Sequence, residues 1–200
     1  MGRLIGAILA GGANSRFGGE PKGLRLVGGL RMIDRVATAL GSVSSEMIVV
    51  SNMGGAADWL PGVNAVADLR PERGSLVGIH TALAHARETV LVVAWDMPFV
   101  NAELLRLIHD RSVTASFAAV PDGPFGPEAF CAAYGTACLP FIEAALDEGD
   151  FRLSTLLGRL PSVDHIANEA VRRAGDPARL FFNVNDAADL ARAERLAGSA

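Results

Sequence analysis

Short apolar runs alternate with amphipathic stretches along the first half of the chain. Buried parallel strands are predicted where four such runs occur, at residues 4–8, 46–51, 63–67 and 89–94. Apolar residues recur at helical spacing between these runs, over residues 32–40 and 75–87. Strands that alternate with helices predict a three-layer α/β/α domain with a mostly parallel sheet.

The pattern is less regular in the second half. A helix is predicted over residues 101–110, with Asn101 as its N-cap. Strands are predicted at residues 114–120, 129–134 and 162–166, with a loop rich in proline and glycine at 121–127. Further helices are predicted at residues 137–148, at 153–160 and from Asp186 onward. Neither a repeat nor a linker interrupts the sequence, which predicts one domain over residues 1–200.

Polar or glycine-rich features follow four of the predicted strands directly. Gly11, Asn52, Asp68 and Asp96 each stand at the end of a different strand. The ligand crevice of an open parallel sheet lies beyond the carboxyl ends of its strands. We therefore expect these four features to meet at one edge of the sheet.

The segment after the first strand, LAGGANSRFGGEPKG at residues 9–23, is rich in glycine. Five glycines fall within residues 11–23, and Arg16 and Lys22 are set among them. Glycine lets backbone N–H groups turn towards a ligand, and two cations favour a polyanion such as a nucleoside triphosphate. Lys22 is the only lysine among 18 lysine and arginine residues. A compact ammonium suits a phosphate cluster, although a surface lysine retained by chance is the alternative.

Asp96 is the best candidate for a metal ligand. It lies between a very apolar strand and Pro98, at the mouth of the predicted crevice. Mg²⁺ prefers one or two carboxylates together with phosphate oxygens and water. The alternative is that Asp96 caps a helix that begins near Pro98. For Asp68 the choice is open between a contact to a base, to a ribose or to metal-bound water, and an ordinary loop aspartate.

Several other motifs are missing from the sequence. Lys22 is not followed by Ser or Thr as a P-loop requires, the segment has no GxGxxG pattern, and no GxSxG elbow occurs. His80 and His85 are five residues apart and would face different sides of one helix, and the other histidines also lack metal-ligand spacing. We interpret the histidines as surface or satisfied residues.

Composition and charge narrow the function further. The chain is 50% hydrophobic, which excludes disorder, and no apolar run approaches the roughly 20 residues that span a bilayer. The net charge is -4, yet six basic and two acidic residues fall in the first 35. This asymmetry favours a local phosphate site over nucleic-acid binding. Cys131 and Cys138 lack CxxC spacing, which predicts reduced core thiols and a cytoplasmic location.

The glycine-rich segment resembles the signature of the nucleotidyltransferases that mature the molybdenum cofactor, which runs close to LAGGxSxRMGxDKG. Four further stretches match that family in order: Asn52, then Asp68 followed by GSLVG, then WDMP around Asp96, and finally NVN at residues 183–185. The LAGG form is similar to the guanylyltransferases, whereas cytidylyltransferase relatives commonly show LAAG. The departures are Phe17 for Met, Glu20-Pro21 for x-Asp, and Trp95 for a frequent Cys.

The resemblance implies a Rossmann-like nucleotidyltransferase fold and a role for each matched residue. Contacts to the nucleotide are implied for Leu9, Ala10, Gly11, Gly12, Lys22, Asn52, Asp68 and Asp96. Lys22, Arg16 and Asp96 would be catalytic, with Asp96 as the ligand of Mg²⁺. Asn183 and Asn185 would lie on the pterin side, and the GSLVG segment would lie across the nucleotide.

The reaction implied by the family is the transfer of GMP from GTP to molybdopterin. The terminal phosphate of molybdopterin attacks the α-phosphorus, pyrophosphate leaves, and no protein nucleophile is needed. Transient contact with proteins of cofactor synthesis or molybdoenzyme maturation is also expected. The alternatives left open are a relative that uses CTP or another phosphorylated acceptor, and a nucleotide-binding relative without catalysis.

Overall fold

The computed structural model describes residues 4–11, 20–72 and 74–198. Its strands are β1 Leu4–Leu9, β2 Leu26–Val27, β3 Leu30–Arg31, β4 Glu46–Val50, β5 Asn64–Val66, β6 Thr89–Ala94, β7 Ala118–Gly123, β8 Gly126–Pro127, β9 Cys131–Tyr134 and β10 Val163–Ile166. Its α-helices are α1 Met32–Gly41, α2 Ser75–Ala86, α3 Ala102–Ser112, α4 Leu139–Asp147, α5 Leu153–Arg159, α6 Asn168–Arg172, α7 Pro177–Leu180 and α8 Ala187–Gly198.

The main sheet runs in the order β10-β7-β9-β6-β1-β4-β5, and β8 pairs with β7. Strand β1 is central: it pairs in parallel with β4 on one side and with β6 on the other. All six of its residues are buried, as expected for a strand covered on both faces. Only β9 and β8 run against the direction of their neighbours in this sheet. The predicted, mostly parallel sheet is therefore confirmed.

Helices cover both faces of the sheet. Residues of β1 alternate between the two faces, so Ile8 packs under α1 and α3 while Ala7 packs under α2 and α4. The first layer is built on Ile33, Val36, Leu40, Leu104 and Ile108, and the second on Leu76, Ile79, Leu83, Ile142 and Leu156. The predicted α/β/α layering follows from this alternation.

A small third core joins the two ends of the chain. The β2–β3 hairpin turns at Gly28 and Gly29, whose φ angles of 59° and 78° are accessible mainly to glycine. The Gly28 N–H donates to the Glu194 carboxylate at 3.1 Å, which ties the hairpin to α8. Apolar side chains of both elements pack together, and this core also includes Val184. The segment 183–185 is thereby held beside the main sheet.

The second half departs from the sequence prediction more than the first half does. The strand predicted at 114–120 begins at Ala118 and continues to Gly123, because α3 extends to Ser112 and the amide of Ala115 still bonds to Arg111. The loop predicted at 121–127 contains the β7–β8 hairpin. Helices α6 and α7 were not predicted. Each spans one turn or little more, which is too short to show an apolar period.

The predicted N-cap of α3 is confirmed, since the Asn101 side chain accepts from the Leu104 N–H at 2.9 Å. The helix predicted at 137–148 begins at Leu139, after a single 3-10 turn at Thr136–Cys138. Among the helices described, none has the length and apolar character needed to cross a bilayer.

Candidate active site

The carboxyl ends of β1, β4 and β6 open into a cleft of about 950 Å³. Eight of the residues singled out in the sequence line it: Leu9, Gly11, Lys22, Asn52, Asp68, Asp96, Asn183 and Asn185. The prediction that the strand-end features meet at one edge of the sheet is confirmed. Whether each residue contacts a ligand as the resemblance implies stays a prediction.

Three of the predicted site residues need separate mention. Gly12 and Arg16 lie outside the described residues. Ala10 is fully buried behind the cleft wall. Its N–H donates to the Val50 carbonyl at 2.9 Å, and its own carbonyl accepts from Ser51 Oγ at 2.8 Å. The backbone of Ala10 is thus already held by β4 and the residue that follows it.

Lys22 and Asp96 form an ion pair at the end of β6. The ammonium of Lys22 donates to Oδ2 of Asp96, across 74 residues of sequence. Their side chains are only 16% and 11% exposed, so solvent screens the pair less than it screens a surface pair. Lys22 is therefore not a surface lysine. The helix-cap alternative for Asp96 is also wrong, because Asn101 caps the next helix.

Backbone hydrogen bonds fix where Asp96 stands. The Trp95 N–H donates to the Leu9 carbonyl at 3.2 Å, which continues the β1–β6 pairing beyond the strand. The Val184 N–H donates to the Asp96 carbonyl at 2.9 Å. Because Val184 is fully buried beside this bond, the flanking Asn183 and Asn185 lie at the same cleft as the ion pair.

Asn52 and Asp68 form a second polar pair, at the ends of β4 and β5. The Asn52 amide donates to Asp68 Oδ2 at 2.7 Å, and the Asp68 N–H donates back to Asn52 Oδ1 at 2.8 Å. Thr81 Oγ1 lies 3.5 Å from Asp68 Oδ1. Burial raises the pKa of the Asp68 carboxyl above its usual value, and the hydrogen bonds from Asn52 and Thr81 act in the opposite direction.

The GSLVG segment differs from the expected loop, since Ser75 to Gly78 form the first turn of α2. Gly74, Ser75 and Gly78 line the cleft, and the apolar side chain of Leu9 packs against Gly78. The N-terminus of a twelve-residue helix therefore faces the cleft. Such a terminus favours a negatively charged guest, because its first N–H groups lack partners within the helix.

Trp95, which the sequence placed beside Asp96, also lines the cleft. Five residues of the cleft wall were given no site role from the sequence: Val50, Ser51, Met53, Ala94 and Phe130. Ser51 and Met53 flank Asn52, a predicted site residue, and that adjacency was an available signal. Phe130 precedes β9, whose first residues reach the same edge because β9 runs antiparallel to β6. The direction of a strand leaves no trace in its own sequence, so Phe130 had no such signal.

The side chains at the cleft fit a magnesium ion that takes most of its ligands from a bound nucleotide and from water. Within residues 4–11, 20–72 and 74–198, no group of three or more His, Cys, Asp or Glu side chains could hold a metal. Asp96 supplies one well-shielded carboxylate at the cleft. A hard cation that keeps phosphate oxygens and water in its shell needs little more from the protein.

The two cysteines behave as predicted, and so do the histidines except at one atom: Nδ1 of buried His80 has no hydrogen-bond partner among the described residues. Cys131 and Cys138 are free and buried, and burial raises the pKa of the Cys138 thiol to about 12. Inert core thiols are the result. His80 is buried with its Nε2 3.4 Å from Glu143, whereas His85 is exposed, so the two do face different sides of α2.

Comparison with known proteins places these features in one family. The model of the MobA-like NTP transferase domain matches residues 6–164. The molybdenum cofactor guanylyltransferase of Desulfosudis oleivorans is 36% identical over 97% of this chain and 96% of its own length. The enzyme of the same name from Cereibacter sphaeroides is 30% identical over 97% of both chains. The crystal structure of molybdopterin-guanine dinucleotide biosynthesis protein A from Archaeoglobus fulgidus superposes with a TM-score of 0.84, covering 98% of this chain and 100% of that one at 28% identity.

Proposed function

The chain belongs to the MobA-like NTP transferase family, and from that premise we propose that it acts as a molybdenum cofactor guanylyltransferase. It transfers GMP from GTP to the terminal phosphate of molybdopterin and releases pyrophosphate. The relatives that span nearly the whole chain carry this name.

One observation carries the proposal: the only lysine of the chain meets the aspartate after β6 inside the cleft. A shielded ammonium beside a shielded carboxylate can receive a triphosphate and its magnesium ion together. A protein that only bound the nucleoside would need neither group. The pair therefore supports a site for a magnesium triphosphate, which transfer of a nucleotidyl group requires.

The chemistry asks mainly for alignment and for neutralisation of charge. The attacking phosphate monoester is already anionic, so no residue has to act as a general base. Asp96 would hold Mg²⁺, which when bound would neutralise charge at the α-phosphate. Lys22 would move from Asp96 to the phosphates and stabilise the departing pyrophosphate. Arg16, in the same signature, would help it there.

The two ends of the cleft suit the two substrates. We assign the nucleoside of GTP to the end formed by Leu9, Gly11, Asn52 and Asp68, together with Gly12 of the same signature. The phosphates would lie between the N-terminus of α2 and Lys22. Asn183 and Asn185 would face the pterin, and the hydrogen bond from Val184 to Asp96 brings that side next to the reacting phosphate.

The free thiols Cys131 and Cys138 are compatible with a reducing cytoplasm, where we place the reaction. The proposed product is a cofactor, so another protein has to accept it. We therefore propose transient contact with the proteins of cofactor synthesis or molybdoenzyme maturation.

The test is a reconstituted reaction. Purified protein is incubated with molybdopterin, Mg²⁺ and either GTP, CTP or ATP, and the products are identified by mass together with released pyrophosphate. We expect the guanine dinucleotide from GTP and its loss on chelation of Mg²⁺. Preference for CTP would replace the guanylyltransferase with a cytidylyltransferase. Nucleotide binding without any product would refute catalysis.

A further inference from the structure

Two consecutive contacts run side by side at the reacting end of the cleft. Lys22 pairs with Asp96. Gly23, which follows Lys22, packs against Trp95, which precedes Asp96. A Cβ atom on residue 23 would lie 2.2 Å from Cε3 and 2.4 Å from Cδ2 of the indole ring. Atoms at such distances overlap, so only glycine lets the backbone come this close.

The indole ring that Gly23 touches is itself fixed. Trp95 is 1% exposed and stacks on Trp59, with ring centroids 5.2 Å apart and planes inclined by 27°. Trp59 is held in turn, because its carbonyl accepts from the Arg31 guanidinium at 2.9 Å. The indole N–H of Trp95 has no hydrogen-bond partner among the described residues, so packing holds the ring.

The backbone that carries Lys22 is equally constrained. Residues Lys22–Leu24 form a single 3-10 turn, and the Arg25 N–H donates to the Lys22 carbonyl at 3.0 Å. The turn rests on the ring through Gly23. The position of the Trp95 ring therefore sets the distance between the Cα of Lys22 and the carboxylate of Asp96.

We propose that Trp95 and Gly23 are positioning residues, which hold Lys22 where it can exchange between Asp96 and the triphosphate. The inference rests on the proposed function, since it assigns Lys22 to the phosphates. It goes beyond it by giving a task to two residues that touch neither phosphate nor acceptor in the proposed arrangement. The alternative is that Trp95 only contributes to packing of the core.

The Gly23→Ala variant distinguishes a positioning role from a packing role. The added Cβ must lift the turn or shift the ring, and a displacement near 1 Å at a reacting group costs about 100-fold in turnover. We expect kcat to fall by about that factor, with the KM for GTP changed less than threefold. Trp95→Leu removes the ring on which the turn rests, so we expect it to lower kcat as well, again with the KM for GTP changed less than threefold.

The decisive measurement repeats Gly23→Ala in a Lys22→Ala background. If residue 23 acts through Lys22, no further loss of kcat follows there. A purely structural role predicts the same additional loss in both backgrounds, and that result would overturn the inference. So would wild-type kcat in Gly23→Ala.

Gly6→Ala is the matched control. Its Cβ would lie 2.8 Å from Ser44 Oγ and 3.0 Å from Met47 Cγ, a milder crowding inside β1 at a residue that does not line the cleft. We expect it to lower the melting temperature while kcat below that temperature stays unchanged. If the wild-type protein makes no product at all, the proposed function fails. Calorimetric titration with Mg²⁺ and pyrophosphate, the group assigned to Lys22, then still shows whether Gly23→Ala weakens binding only when Lys22 is present; equal weakening with and without Lys22 would overturn the inference.

Discussion

The cleft contains two polar pairs that differ in almost every physical respect. Lys22 and Asp96 carry opposite full charges and are largely shielded from water. Asn52 and Asp68 join a neutral amide to a carboxylate, and Asn52 is exposed. The first pair can exchange its partners for a metal and a polyanion at little net change in charge. The second pair is locked by two reciprocal hydrogen bonds and can only present a fixed set of donors and acceptors.

A third carboxyl group, that of Glu128, shows the effect of burial on a carboxylate that has no partner. Glu128 is half-buried between β8 and β9, and its side chain has no hydrogen-bond or ion-pair partner in the described part of the chain. Burial raises its pKa to about 6. The ammonium beside Asp96 and the amide beside Asp68 supply the compensation that Glu128 lacks. The pairs can thus be tested against each other and against this unpaired group.

The largest effect is expected at the charged pair, from Asp96→Asn. The amide keeps the shape of the side chain but cannot balance a cation, so Mg²⁺-dependent turnover should fall by about 1,000-fold or more. Pyrophosphate release measured against Mg²⁺ concentration checks this. Asp58→Asn, the same change at an exposed position, should behave as wild type. An unaltered Mg²⁺ dependence in Asp96→Asn would remove Asp96 as the metal ligand.

The second largest effect is expected from Lys22→Ala, which should reduce turnover by about 100-fold to 1,000-fold because the departing pyrophosphate loses its ammonium partner. The variant should keep the native circular dichroism spectrum, because the residue contributes little to the apolar core. Lys22→Arg should recover little activity, since a planar guanidinium cannot take the place of a compact ammonium.

Arg25→Gln is the control for charge in the Lys22 experiment. It removes one positive charge three residues away, from a side chain that pairs with Glu20 rather than with Asp96. Near wild-type turnover is expected from it. Wild-type pyrophosphate release from Lys22→Ala would exclude Lys22 from the reaction.

The neutral pair should have a smaller effect, seen in affinity. Asn52→Ala removes the hydrogen bonds that orient Asp68, and we expect GTP to bind about tenfold more weakly while kcat changes little. Trp59 and Trp95 are the only two tryptophans and stack at the cleft, so their fluorescence can follow the titration. A large drop in kcat with unchanged affinity would contradict this division of labour.

The same variant makes a prediction about pH. The pKa of Asp68 is already raised by burial, and the Asn52 hydrogen bond is one of the contacts that hold it down. Without that bond the pKa rises further, so the carboxylate takes up a proton at higher pH. Affinity for GTP should therefore be lost at a higher pH in Asn52→Ala than in wild type as the pH is lowered from about 8 to about 5. Coincident profiles would show that Asp68 binds GTP in either form.

The charged end of the cleft could be predicted from sequence only in part. Asp96 was found because β6 is a continuous apolar run that ends in a carboxylate, and Lys22 because it is unique among many arginines. Their contact spans 74 residues and depends on the parallel pairing of β1 with β6. No local pattern encodes that pairing. The Gly23–Trp95 contact was missed for the same reason.

The regular half of the fold was easier to predict than the irregular half. Strands β1, β4, β5 and β6 are short apolar runs bounded by turn residues, and their predicted positions agree with the structure within about two residues. In the second half, Pro121 lies inside β7, where its neighbours favoured a loop. Pairing with β10 and β8 overrides that local preference. Tertiary contacts decided these elements, and a single sequence does not show them.

The smallest effect concerns the unpaired carboxyl and stability. Because the folded pKa of Glu128 is about 6 and the ordinary value is 4.5, the folded state pays for a buried charge above pH 6. That cost disappears as the pH falls from 6 towards 4.5, because in this range Glu128 is protonated in the folded protein but still ionised in the unfolded chain. Glu128→Gln should therefore stabilise at neutral pH by about 1 kcal/mol, after allowance for partial exposure to solvent, and by almost nothing at acid pH. Urea unfolding at both pH values, with Glu88→Gln in the α2–β6 turn as the control, measures the difference. Equal gains at both pH values would show that the stabilisation does not come from removing the charge of Glu128.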